Sequence, residues 1–190
     1  MTRPRTFWMR WRVRAGYPVA VIFWLLASPS PRSILCGGMI VALGLLVRAA
    51  AAGHLRKGQE LATTGPYAHT RNPLYFGSAL LAAGFAVAGN SWPAALLAVV
   101  YFAVFYSLVI RDEESGLRER FGASFEAYAA RVPPFFPRLT AAHGNERAAT
   151  QNTFSWALYR RNHEYNAFAG TVGGLAVMAL RMWLRMRWGH

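Results

Sequence analysis

Thr64-Gly65-Pro66-Tyr67-Ala68-His69-Thr70-Arg71-Asn72-Pro73-Leu74-Tyr75-Phe76-Gly77 is a polar turn pinned between two apolar runs. Prolines and glycines fix its backbone. Tyr67, His69, Arg71, Asn72 and Tyr75 set hydrogen-bonding groups where the flanking sequence implies a membrane surface. A loop of this kind is built to hold something. It also has a plainer reading: Asn72 is a good N-cap and Pro73 a good first helical residue, so the pair also marks the start of the next helix.

The apolar runs on either side are 34–52 and 74–88. At 1.5 Å per residue the first can cross a hydrocarbon core of about 30 Å, and Arg48 near its end can snorkel. Upstream, 17–27 is a shorter apolar run behind an arginine-rich arm. Downstream, 94–110 follows the tight turn Gly89-Asn90-Ser91-Trp92-Pro93. The chain has 190 residues, 54% of them hydrophobic, which bounds it to one small integral membrane domain.

The formal net charge of +13 raises nucleic acid as a partner, but its distribution speaks for topology. Five arginines lie in the first fourteen residues, and five of the eight acids lie between Asp112 and Glu126. Basic and non-basic loops alternate, so counting Lys and Arg near the apolar runs puts the N-terminus, the 54–71 connection and the residues after Ile110 on the cytoplasmic side. The arginines are thereby explained without nucleic acid. A basic start plus a short apolar run also describes a signal peptide, yet Ser28-Pro29-Ser30-Pro31 is a poor cleavage site and a good hairpin turn. The single cysteine, Cys36, excludes an internal disulfide.

Beyond Ile110, Leu117, Phe121, Phe125 and Tyr128 recur at helical spacing, which predicts an amphipathic helix over 111–131. Asp112, Glu113 and Glu114 would occupy its first turn, where the helix dipole favours negative charge. Three prolines in 132–137 end it. The organisation expected is a basic interfacial arm (1–16), a membrane domain (17–137), a polar linker (138–153) and a C-terminal segment (154–190). That segment holds an interfacial helix near 154–163 and a fifth membrane segment, 167–180, of unknown depth. The fold class is all-α: a polytopic transmembrane bundle of four to five membrane helices, with a cytoplasmic amphipathic helix closing the site.

Taken together, Gly65-Pro66-Tyr67, Arg71-Asn72-Pro73, Tyr75 and Gly77, then Glu113-Glu114, Leu117, Phe121-Gly122, Phe125, Tyr128 and Val132-Pro133 resemble the isoprenylcysteine carboxyl methyltransferase and phospholipid methyltransferase families of integral membrane enzymes. The likeness covers about residues 34–137 and departs at Asn72, where the family often has His; an amide still hydrogen-bonds there. It implies methyl transfer from S-adenosylmethionine to a lipid-soluble acceptor in a multi-pass protein of the bacterial inner membrane. It also implies Arg71, Glu113 and Glu114 as catalytic residues. Gly65, Pro66, Tyr67, Arg71, Asn72, Pro73, Tyr75, Gly77, Glu113 and Glu114 would bind the cofactor. The chemistry suits the residues: Arg71 can fork onto a carboxylate, Glu113 or Glu114 can take an ammonium, and Tyr67 and Tyr75 offer ring faces to a cation or an adenine. The glycine backbones permit close approach. The five histidines show no metal-ligand spacing. Two other readings stand beside this one. Arg111-Asp112-Glu113 with Phe121-Gly122 also resembles a membrane sterol-type reductase using NADPH. Arg71 paired with a carboxylate could instead only neutralise charge in a non-catalytic membrane protein.

Overall fold

A computed structural model describes residues 7–142 and 153–188; of the side chains before Val13 it describes only Trp11. The described residues form helices and turns. In order they are α1 (Phe7–Leu26), α2 (Pro31–His54), a 3-10 turn (Gly65–Ala68), α3 (Pro73–Gly89), α4 (Trp92–Phe121), α5 (Ala123–Ala129), α6 (Trp156–Arg161) and α7 (Tyr165–Trp188). By length and composition α2, α4 and α7 can each cross a membrane. The 17 residues of α3 and the 13–26 part of α1 are apolar but shorter. At 1.5 Å per residue α3 is about 26 Å long, a little under a hydrocarbon core. Three candidate spans therefore stand where four to five were expected.

Local sequence explains most boundaries. Ser30 and Ser33 cap α2 reciprocally, each side-chain oxygen accepting from the other's backbone N–H at 3.2 and 2.9 Å, with Pro31 at the first helical position. Asn90 ends α3 in the left-handed region at φ +47°. Ser155 caps α6 by accepting from the Leu158 N–H.

Several expectations are corrected. The arm does not stop before the first apolar run, because one helix carries both from Phe7 to Leu26 and tolerates Pro18 within it. The amphipathic helix over 111–131 is not one element. Residues 111–121 continue α4 to a length of 30 residues, and Gly122, at φ +48°, breaks the chain before α5. Asp112, Glu113 and Glu114 consequently lie deep within α4, so helix capping is not their role. The fifth membrane segment is longer than 167–180, since the polar start Tyr165-Asn166 and the arginine-rich end both join α7. Of the polar linker, 143–152 lies outside the described residues. Its beginning is tied down: the Arg138 N–H donates to His69 O (3.0 Å) and the Ala142 N–H to Ala68 O (2.9 Å).

The chain divides into two compact units, 1–42 with 80–111 and 171–190, and 43–79 with 112–170. In the first, α2 and α3 meet through glycine. A Cβ on Gly84 would stand 2.7 Å from Gly37 O and 2.8 Å from Val41 N, so only hydrogen lets the two backbones approach. Ala27, Ala88 and Met178 are buried beside them, packed by Phe23, Phe85 and Leu175. In the second unit, Phe125, Tyr128 and Val132 form a buried cluster with Leu61, Leu117 and Phe121, so the break at Gly122 returns the apolar stripe onto the end of its own helix. The Tyr128 hydroxyl donates to Tyr67 O at 2.7 Å and closes this cluster against the 3-10 turn. Burial pushes the Tyr128 phenol above its usual range, with Glu114 adding to the rise and Arg71 opposing it.

Gly84→Ala should cost about 1–3 kcal/mol through backbone overlap. Gly173→Ala, where a Cβ meets no atom within 4 Å, should be neutral or slightly stabilising, and melting curves in detergent compare the two. Tyr128→Phe leaves the Tyr67 carbonyl without its donor and should cost about 1–3 kcal/mol at neutral pH. Because the folded state holds the Tyr128 proton more tightly than the unfolded chain, that contribution is complete below about pH 10 and is lost as pH rises beyond it. The melting temperature of Tyr128→Phe should therefore fall less steeply than that of the parent protein between about pH 9 and 12.

Candidate functional site

The loop from Gly65 to Asn72 is held from below by the proline segment that follows α5. The Arg71 N–H donates to Pro133 O at 2.9 Å, and Thr70 Oγ1 donates to Phe135 O at 2.9 Å. The His69 ring nitrogen Nδ1 lies 2.8 Å from Arg138 O, and the Phe135 ring packs edge-on against Phe76 at 5.9 Å. Prolines suit this work, since their carbonyls accept while they present no competing N–H. The result is a loop whose backbone is satisfied by protein and whose Thr70 and His69 side chains help to hold it, which leaves those of Arg71 and Asn72 to partners beyond the loop.

Asn72 shows this division. Its carbonyl accepts from the N–H groups of Tyr75 and Phe76, so it opens α3 as the helix-start reading expects. Its side chain does no capping. Instead Nδ2 donates to Pro134 O at 2.8 Å and to Glu114 Oε1 at 3.2 Å. The same carboxylate oxygen lies 3.4 Å from Arg71 Nε, with side-chain exposures of 14% for Arg71 and 16% for Glu114. That separation is within ion-pair reach but outside hydrogen-bond geometry, so Nε is buried with no hydrogen-bond acceptor among the described residues. The guanidinium also stands 6.0 Å from the Phe125 ring centroid. Arg71, Asn72 and Glu114 are thus brought together across 42 residues of sequence, with one guanidinium nitrogen left short of a partner.

Glu113 takes no part in those hydrogen bonds. One residue turns an α-helix by about 100°, and the half-buried Glu113 acts on Tyr67 instead. Burial first, and then the Glu113 carboxylate, push the Tyr67 phenol above its ordinary range, with Tyr128, Tyr75 and Glu164 adding to the rise. The Tyr67 hydroxyl is therefore a neutral donor throughout physiological pH. Tyr75 shares its surroundings.

The two glycines divide in role. Gly65 has φ +56°, and a Cβ there would come within 2.6 Å of the His54 ring, so the turn requires glycine for both conformation and space. Gly77 lies against α2, where a Cβ would stand 2.5 Å from Arg48 Cγ and 2.9 Å from Gly44 O. The close approach at Gly77 is helix packing.

A second charged cluster was not anticipated. Arg48 does not snorkel to water; its Nε and Nη2 donate to the two oxygens of Glu164 at 2.5 and 3.0 Å. Its Nη1 donates to Ser78 Oγ at 2.5 Å and to Leu74 O at 3.3 Å. Glu164 is only 7% exposed. This forked pair ties the first turn of α3 to α2 and to the residue preceding α7. The sequence signal for it was a lone arginine within an apolar span, a position that calls for a partner. The partner stands 116 residues away, so no local pattern could identify it.

The donor set fits S-adenosylmethionine in kind. A guanidinium with an unsatisfied nitrogen suits a carboxylate, a carboxylate outside the internal network suits an ammonium, and two tyrosines line the same surroundings.

Comparison with known proteins agrees with the motifs. Residues 33–124 match the family model described as phospholipid methyltransferase. Over 141 residues, 70% of the chain, the sequence is 33% identical to the cobalt-zinc-cadmium resistance protein CzcN of Cupriavidus metallidurans, covering 65% of that protein. Over 85 residues, 45% of the chain, it is 41% identical to the nickel-cobalt-cadmium resistance protein NccN of Alcaligenes xylosoxydans xylosoxydans, covering 39% of that protein. The matched stretches thus span less than two thirds of either relative's length. No solved structure matches the chain. Arg71, Asn72, Glu113 and Glu114 fall inside the family match, while Tyr128, Pro133 and Glu164 lie beyond it. Over residues 33–124 the chain carries the sequence pattern of the phospholipid methyltransferases, a family of membrane methyltransferases, in agreement with the resemblance of its two motif stretches.

Proposed function

We propose that this protein transfers a methyl group from S-adenosylmethionine to a lipid-soluble acceptor at the cytoplasmic face of the membrane. The observation that carries the reading is the convergence of Arg71, Asn72 and Glu114 in one half-buried cluster, with the Arg71 Nε unsatisfied. The match of 33–124 to the phospholipid methyltransferase model supports the reaction class. The basic N-terminal arm and the 54–71 connection support a cytoplasmic N-terminus in a bacterial inner membrane.

S-adenosylmethionine supplies an electrophilic methyl group on a sulfonium. The chain's own residues then have to bind, orient and keep out water, which is most of what methyl transfer to a nucleophile needs. In this reading Arg71 binds the cofactor carboxylate. Glu114, itself held by the Asn72 amide, keeps that guanidinium in place from behind. Glu113 takes the ammonium, and Tyr67 and Tyr75 present ring faces. The assignment splits the adjacent glutamates by what each already touches: Glu114 belongs to the internal network, and Glu113 does not. A head group such as a phospholipid amine, an isoprenylated cysteine carboxylate or another lipid-like nucleophile would enter from the bilayer. An amine would surrender a proton before or during attack.

The names of CzcN and NccN extend the proposal to a physiological setting, in which the methylated membrane component serves resistance to divalent metal cations. Among the described residues no three His, Cys, Asp or Glu side chains gather as a metal-binding set, so that setting rests on the names alone.

Calorimetry on the purified protein tests the reading. S-adenosylmethionine should bind, and Arg71→Ala should weaken binding by about 2–5 kcal/mol, thirtyfold or more. Glu113→Gln should weaken it comparably. Glu114→Gln should act more mildly, by loosening Arg71. With labelled S-adenosylmethionine and native membranes, the label should pass into the organic extract. Unchanged affinity in Arg71→Ala, or tight NADPH binding with none of S-adenosylmethionine, would overturn the proposal.

A further inference from the structure

Far from the motif in sequence, the end of α7 carries Arg181, Arg185 and Arg187 among Trp183, Trp188 and leucines. Positive charge at the far end of a crossing helix runs against the usual bias of membrane proteins, so these arginines need a physical reason.

Part of the reason lies within the protein. Arg181 donates through Nη1 to Trp24 O and through Nη2 to Leu25 O at 2.8 Å, capping the last carbonyls of α1. Its guanidinium stacks 4.7 Å from the Trp24 ring centroid. Arg185 donates through Nη1 to Ser28 Oγ at 3.0 Å. A cation at the negative end of a helix dipole is favourable, yet a dipole end carries only about half a charge, and two guanidiniums face it.

The rest of the counter-charge does not come from this part of the chain. No Asp or Glu occurs in 1–42, 80–111 or 171–190, the segments that make up this unit. Arg181 Nε is buried with no hydrogen-bond acceptor among the described residues. Beside these cations lies an open groove of about 490 Å3, lined by Trp24, Leu180, Arg181, Leu184, Arg185 and Trp188. Its walls are chiefly apolar, and its size is that of an ordinary ligand pocket. Tryptophans at both ends of the lining are what a groove at headgroup level carries.

We infer that the α1–α7 groove binds one anionic phospholipid, with an acyl chain along Leu180 and Leu184 and its phosphate at the Arg185 guanidinium, within the field of Arg181. An amphiphile is required because the groove is apolar along its length and cationic at its edge. An anionic head group is required because a zwitterionic one would bring its own cation to a site that already has unbalanced positive charge. Arg185 is the contact residue, since one of its nitrogens is used by Ser28 and the guanidinium has further donors. None of the lining residues belongs to the candidate methyl-transfer site, so the inference does not rest on that reaction.

The test uses the full chain in neutral detergent, with native mass spectrometry for bound lipid and melting temperature for stabilisation. Dioleoylphosphatidylglycerol should be retained at one molecule per chain and should raise the melting temperature. Dioleoylphosphatidylcholine, with the same acyl chains, should do neither. Arg185→Gln should weaken retention at least fivefold. Leu184→Ser, which leaves every charge in place, should also weaken it. Arg111→Gln, a charge loss at an exposed arginine outside the groove, should change nothing. Equal retention of the two lipids, unchanged retention in Arg185→Gln, or an equal loss in Arg111→Gln would overturn the inference. So would inorganic phosphate stabilising the protein as much as the lipid does.

Discussion

A charge that leaves water must find its counter-charge within a few ångströms, because the cost of desolvating it unpaired exceeds what ordinary packing returns. Among its described residues the unit built from 43–79 and 112–170 meets this condition at Arg71 with Glu114 and at Arg48 with Glu164. Each pair joins elements that are distant in sequence. The first fixes where the far end of α4 stands relative to the loop 65–72. The second fixes the residue before α7 against α2 and the opening turn of α3. Hydrophobic contacts in a membrane helix are forgiving of small slides, but the forked Arg48–Glu164 pair is not, so it sets register where apolar side chains alone would not.

The loop gains its shape from the same economy of partners. Its backbone is matched by Pro133, Arg138 and Ala142, so the polar side chains of Arg71 and Asn72 are not needed to satisfy the loop's own backbone. That explains how Asn72 can open a helix and reach Glu114 at once. The carbonyl does the first job, and the amide does the second.

Much of this was legible in the sequence, where chemistry and spacing are local. Asn72-Pro73 gave the start of α3, the Ser-Pro turn the start of α2, and the reading of Arg71 as the partner of Glu113 or Glu114 the ion pair with Glu114. The family likeness rests on those same residues and agrees with the match over 33–124. Misreadings occurred where one pattern serves two structures. Leu117, Phe121, Phe125 and Tyr128 keep helical spacing across Gly122, so a periodic reading sees one helix; the left-handed φ of Gly122 folds the second half back, and the stripe packs on itself. Glu164 was missed because its reason for being buried is an arginine more than a hundred residues earlier. Arg138 and Ala142 were read as linker because their partners are backbone carbonyls, which leave no trace in composition.

The adjacent glutamates show most plainly how position decides chemistry. Glu113 and Glu114 are the same side chain on consecutive residues of one helix, and neither composition nor spacing separates them. Their Cα–Cβ bonds differ by about 100° around the α4 axis. That angle delivers Glu114 to Arg71 and Asn72, where one oxygen accepts from the Asn72 amide and lies within ion-pair reach of the Arg71 guanidinium. It delivers Glu113 toward Tyr67, whose neutral phenol can donate but cannot neutralise a carboxylate. Among the described residues Glu114 therefore has an ion-pair partner and Glu113 has none. A cation brought by a ligand is worth more to the second than to the first, because only there does it supply a charge partner that the fold withholds.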